Sequence, residues 1–212
     1  FQLYTELLSI ALLLGAFLCA LRKNLLLCGI LLGLATLAKF PAGMFILPLL
    51  IFFFYNRQLR LALWMIVGFG IPLFPYFITN WIFYNNPFLP FLEGQRIITK
   101  TLFCNILHPQ PIWQYGVWIA LLAPLHLLAF VQLFKTRNPL LLGSFLIPHV
   151  YFTILPCKDL RYLVFILPFT ALLSAQALSF IKRVHVAFIL SAISALGIFL
   201  IVLNHQTLLL NQ

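Results

Sequence analysis

Charge is scarce in this sequence. Of 212 residues only 8% are charged, and three are acids: Glu6, Glu93 and Asp159. No two acids are close enough in sequence to form a ready carboxylate pair, so no motif offers self-contained acid/base chemistry or a divalent-metal cage. The glycines form no phosphate-gripping loop, no histidine lies in an H-E-x-x-H, and no serine sits in a nucleophile elbow. Cys19, Cys28, Cys104 and Cys157 lack metal-ligand spacing. Cys19 and Cys28 lie in apolar runs as core packers, while Cys104 and Cys157 are placed for a disulfide that sequence alone does not decide. There is no internal repeat, no low-complexity segment and no stretch that reads as a soluble domain.

What replaces charge is apolar surface. Hydrophobic residues make up 64% of the chain, 23 of them Phe, and the mean hydropathy is +1.09. Soluble domains are about 45–50% apolar and about 25% charged. The composition predicts an all-α, polytopic transmembrane helix bundle as one domain over residues 1–212. The net charge of +10 does not mark a nucleic-acid binder, because the cations fall in pairs between apolar runs and form no continuous basic face. Phe1 is not an initiator Met and follows no leader-like region, which predicts a piece of a longer or processed protein.

Read in order, the apolar runs predict eight spans: Leu3 to Leu21, Leu25 to Ala38, Ala42 to Tyr55, Leu61 to Thr79, Trp113 to Phe134, Pro139 to Pro156, Tyr162 to Ile181 and Val186 to Leu203. The second and third are short. Lys39 and Pro41 between them are expected below the membrane surface, in a non-helical break shielded by protein. Pro72 and Pro75 are expected to kink the fourth span. A long loop is expected over about 80–112, with turn formers at Asn85-Asn86-Pro87, Pro90, Glu93-Gly94 and His108-Pro109-Gln110-Pro111. Strict alternation gathers Arg22/Lys23, Arg57/Arg60, Lys135/Arg137 and Lys182/Arg183 on one side, eight of the 13 Lys and Arg. That side is predicted to be cytoplasmic. All three acids then face the other side, with Lys39, Arg96, Lys100, Lys158 and Arg161.

A polar site is therefore expected at the extracytoplasmic end of the bundle. Lys158, Asp159, Arg161 and Tyr162 form one wall. An Arg fork and a Lys point charge suit phosphate oxygens, and Asp159 can orient Arg161 or pair with Lys158. A solvated turn with snorkelling cations is the plainer account. Lys39 follows a long uncharged run and needs an acid or an anionic ligand. Glu6, at the same face, makes an ion pair the simplest partner. His108 and Tyr115, within His108-Pro109-Gln110-Pro111-Ile112-Trp113-Gln114-Tyr115, offer proton exchange and hydrogen bonds. Trp113, Tyr115 and Trp118 also suit an interfacial belt, Trp118 most of all. Asn80 can cap a helix end or bind a ligand hydroxyl. His126 and His149 sit in apolar runs as packed, hydrogen-bonded histidines.

Together these residues resemble a known family. Gly29-Ile30-Leu31-Leu32-Gly33-Leu34-Ala35-Thr36-Leu37-Ala38-Lys39-Phe40-Pro41 resembles the "G-l-l-l-G-l-a-x-l-t-K-y/g-P" stretch of the GT-C superfamily of membrane glycosyltransferases. The protein O-mannosyltransferase-like and aminoarabinose-transferase-like groups are the nearest. Asn80 through Tyr84-Asn85-Asn86-Pro87-Phe88-Leu89-Pro90 is similar to their "N-y-x-x-f-G-N-P-f-y-P", with Asn85 where Gly is common. His108 to Tyr115 resembles "H-x-x-P-w-x-y-Y", and Lys158-Asp159-Leu160-Arg161-Tyr162 through Pro168 resembles "K-x-x-R-Y-l-l-p-l-l-P". The four matches keep their order and are spread between Gly29 and Pro168.

The resemblance implies inverting transfer of mannose or another hexose or pentose from a polyprenyl- or dolichyl-phosphate donor to a lipid or protein acceptor outside the cytoplasm. It implies Lys39, Lys158 and Arg161 at the donor phosphate, and His108, Tyr115, Tyr162, Asn80 and Asp159 at the substrate. The family's catalytic acid lies in a loop expected upstream of Phe1; Glu6 is a weaker candidate base. No cofactor is assigned, and a divalent metal is left open for want of a ligand cluster. Localisation would be a prokaryotic plasma membrane or the endoplasmic reticulum. A transporter or flippase of a lipid-linked anion, which favours charges deep in spans and repeated halves, and a non-catalytic membrane scaffold stand as alternatives.

Overall fold

The computed structural model describes residues 2–96, 111–122, 126–155 and 160–178. Among them the chain is helical, without strands. The elements are α1 (Gln2–Leu21), α2 (Leu25–Ala38), a 3₁₀ segment (Phe40–Phe45), α3 (Ile46–Tyr55), α4 (Leu59–Tyr84), α5 (Leu89–Arg96), α6 (Gln114–Leu122), α7 (Leu127–Leu133), α8 (Pro139–Ile154) and α9 (Leu160–Leu178). The predicted spans thus appear as helices, except that residues 113–134 hold two helices and that Val186 to Leu203 lies outside the described residues. One described helix, α4, is long and apolar enough to cross a membrane; α2, α8 and the apolar parts of α1 and α9 are shorter.

α1 and α2 form an antiparallel hairpin, and α2 lies parallel to α4 in close contact. The closeness has a covalent reason. Gly29, Gly33 and Gly68 lack a Cβ, and one built on Gly29 would fall on the Met65 carbonyl oxygen. On Gly33 it would lie 2.5 Å from Pro72 Cγ and 2.7 Å from the Phe69 carbonyl oxygen. This Gly-xxx-Gly spacing lets two helix backbones meet directly, the packing used where side-chain burial cannot drive association. A second ring-based contact gathers α1, the 3₁₀ segment and α9. Phe17 lies 4.9 Å from Phe169, which stacks on Phe45 at 5.1 Å.

Two of the turns between helices share one geometry. Lys23 (φ 60°) and Arg57 (φ 56°) each take the left-handed conformation just past a helix end. Asn24 N–H donates to the Cys19 carbonyl and Lys23 N–H to that of Ala20. The same bonds recur from Gln58 to Phe53 and from Arg57 to Phe54. This is the Schellman ending, which ordinarily takes Gly.

α4 is longer than its apolar run suggests. Pro72 and Pro75 lie inside the helix, which continues through Asn80 to Tyr84. It ends where Asn85 adopts φ 52°, a conformation that Asn tolerates through its short polar side chain. Asn86 Oδ1 then accepts from the Phe88 amide at 2.9 Å, and α5 begins. The predicted loop over 80–112 is therefore partly helical.

The outer face of α4 carries Trp64, Val67, Ile71, Phe74, Ile78 and Trp81, all exposed. Its inner face carries Ala62, Met65, Gly68 and Leu73, which are buried. The bulkier apolar stripe points outward, the reverse of a helix on a water-soluble core.

Candidate functional site

The polar break between α2 and the 3₁₀ segment is where the structure concentrates chemistry. α2 ends because Pro41 disfavours helix at the residue before it and cannot donate a helical bond. Lys39, two residues earlier, is the extended C-cap (φ −154°, ψ 113°). The break expected from sequence is present at Lys39, which is partly shielded, while Pro41 already belongs to the 3₁₀ segment. Its ammonium lies 3.2 Å from Glu6 Oε1, with the two side chains 27% and 3% exposed.

Glu6 is held in place by its own helix. Ser9, one turn further along α1, donates its hydroxyl to the Ala35 carbonyl at 3.0 Å. The Lys39 backbone N–H donates to that same oxygen at 2.9 Å. One carbonyl of the last turn of α2 thereby ties α1 and the break together, and it sets the spacing at which Glu6 meets Lys39. A carboxylate so buried would be costly without a cation, and Lys39 supplies it. The pair uses one acceptor of Glu6 and one of the three ammonium donors.

A half-open cavity of about 180 Å³ lies between the end of α2, the start of the 3₁₀ segment, α4 and α5. Thr36, Leu37 and Phe40 line one side, and Tyr76, Phe91 and Gly94 line the other. Phe91 of α5 closes the assembly, with ring centroids 4.9 Å from Phe40, 5.5 Å from Tyr76 and 5.8 Å from Phe77. The Thr36 hydroxyl donates to Leu32 O at 2.8 Å, leaving its lone pairs as acceptors. Arg96 and Glu93 pair at 3.5 Å on the exposed side of α5.

Asn80 is buried, and its amide donates to the Pro87 carbonyl at 3.3 Å. Of the two roles read from sequence, this bond fits the structural one, since it clamps the turn that places α5. Tyr115 is 1% exposed within the core and meets Trp118 edge-on at 5.5 Å. Tyr162 stacks on Phe152 at 4.8 Å and 5°. Trp113 is exposed. His149 stacks on Phe145 at 5.3 Å. It is packed as expected, but its Nδ1 has no hydrogen-bond partner among the described residues. Arg161 belongs to the first turn of α9, and its side chain lies outside the description. His108, Lys158, Asp159, Cys104 and Cys157 lie outside the described residues.

Sequence reasoning missed Ser9, Tyr76 and Phe91. Ser9 had a readable signal, its i+3 spacing from Glu6 on one helix face. Tyr76 and Phe91 had none, because aromatic residues recur throughout the chain. No group of His, Cys, Asp and Glu among the described residues could hold a metal ion. No family model, curated protein or solved structure matches the chain.

Proposed function

We propose that the chain is part of a multi-pass membrane glycosyltransferase of the GT-C type, drawing a sugar from a polyprenyl- or dolichyl-phosphate donor. The observation that carries this reading is the Lys39 ammonium, held 3.2 Å from a buried carboxylate at a helix break. A cation kept at such a place suits an anionic ligand at the edge of the apolar layer. The outward apolar stripe of α4 supports membrane placement, because lipid covers such a surface at no cost and water does not.

In this reading a general base takes the proton of an acceptor hydroxyl. The hydroxyl oxygen attacks the anomeric carbon in line, and the bond from that carbon to the lipid phosphate breaks. The phosphate leaves with the electron pair. Lys39, with Lys158 and Arg161, neutralises the charge that develops on it. Glu6 serves to position Lys39; its ion pair makes it a poor choice for the base. The acceptor is a lipid or protein hydroxyl outside the cytoplasm.

The test is transfer from a radiolabelled polyprenyl-phosphate sugar in membranes carrying the full-length protein. Lys39→Ala is expected to lower transfer at least tenfold, the loss of one charge-assisted contact of about 1.5–3 kcal/mol. Full turnover in that variant removes Lys39 from the site. No transfer from any of several donors, with the protein inserted and folded, overturns the enzyme reading.

A further inference from the structure

The end of the bundle opposite Glu6 and Lys39 carries a different feature. Because α2 and α4 run parallel, the turns that precede them lie at the same end. Those turns hold Arg22 with Lys23 and Arg57, and the first turn of α4 adds Arg60, all exposed. The described carboxylates, Glu6 and Glu93, are taken by Lys39 and Arg96. None of the four cations therefore has an acidic partner among the described residues.

The backbone adds an independent observation. Lys23 and Arg57 both occupy the left-handed position of a Schellman ending, with the same two closing hydrogen bonds. Glycine takes that position without strain, and Lys and Arg do not. Two separate turns accept the strain and place a cation there. Exposed apolar side chains adjoin each turn: Leu21 beside the first, and Tyr55, Leu59, Leu63 and Trp64 beside the second. Cations at the rim of an apolar belt, with a phenol and an indole among them, match the depth of lipid headgroups.

We propose that this pair of turns is a docking surface for the headgroups of anionic phospholipids. The exposed cations meet the headgroup phosphates, and the flanking rings and aliphatic chains seat in the interface beside the bound lipid. A free anion would need no apolar rim, which is why the lipid is the occupant argued for. The proposal rests on the membrane placement above and not on sugar transfer.

The experiment places the full protein in nanodiscs of phosphatidylcholine with and without phosphatidylglycerol, and counts retained lipids by native mass spectrometry. Wild type is expected to retain phosphatidylglycerol selectively, and less so at high salt. Lys23→Gly/Arg57→Gly is expected to lose the preference, by roughly fivefold per cation and about 30-fold for the pair. Glycine is the residue this turn geometry favours, so the double variant keeps its fold. Equal retention by the double variant overturns the proposal, as does complete displacement of the lipid by millimolar inorganic phosphate. Failure of the protein to enter either nanodisc overturns the membrane placement and the docking surface together.

Discussion

Replacing Gly33 by Ala tests the packing that positions the break at Lys39. The added methyl would sit 2.5 Å from Pro72 Cγ and 2.7 Å from the Phe69 carbonyl oxygen, short of the 3.4 Å of ordinary contact by 0.9 and 0.7 Å. The carbonyl is backbone, and Pro72 lies in the helix, so neither can swing away. α2 cannot simply retreat, because α1 holds its other side through the Ser9 hydroxyl on the Ala35 carbonyl. Overpacking of this kind costs about 1–3 kcal/mol. Against it stands the better helix propensity of Ala, worth about 0.8–1 kcal/mol. Gly70→Ala carries the same propensity gain without the clash, since its Cβ meets nothing within 4 Å. The difference between the two variants isolates the contact and should be about 2 kcal/mol, near a 30-fold change in the unfolding constant. The assay is reversible unfolding in mixed micelles by sodium dodecyl sulfate, followed by circular dichroism. Superimposable curves for the two variants would refute the backbone-to-backbone seat of α2 on α4.

The ion pair and the cavity give two further tests. Glu6→Ala should destabilise by about 2–4 kcal/mol in the same micelle assay, because it leaves Lys39 partly buried without its counter-charge. Glu6→Leu/Lys39→Met should recover most of that loss, and a double variant as unstable as the single one would show that the pair is not what holds the break. Gly94→Trp should fill the cavity from a position where a Cβ meets open space. Its unfolding free energy should stay within about 0.5 kcal/mol of wild type while transfer falls. Undiminished transfer would remove the cavity from the site.

Much of the Glu6–Lys39 site was legible because scarcity made it so. With three acids in the chain, a cation ending a long apolar run has few partners, and Glu6 lies at the matching helix end. The break at Lys39 was legible from Pro41, and the turn after α4 from Asn85-Asn86-Pro87. The role of Asn80 was not, since an amide serves a cap and a ligand equally well. Its bond to Pro87 became visible only once the turn was built.

The sequence by itself determined the helical class, the approximate limits of most helices and the pairs of cations between them. Those follow from local quantities: apolar run length, proline, and charge. Tertiary structure alone decided that α2 seats on α4 with three glycines between them, that Phe91 brings α5 against Phe40 and Tyr76, and that Lys23 and Arg57 turn left-handed. For the glycine seat the reason is that α2 and α4 are apolar on nearly every side. Sequence periodicity then names no inward face, and only the fit of one backbone against another selects it.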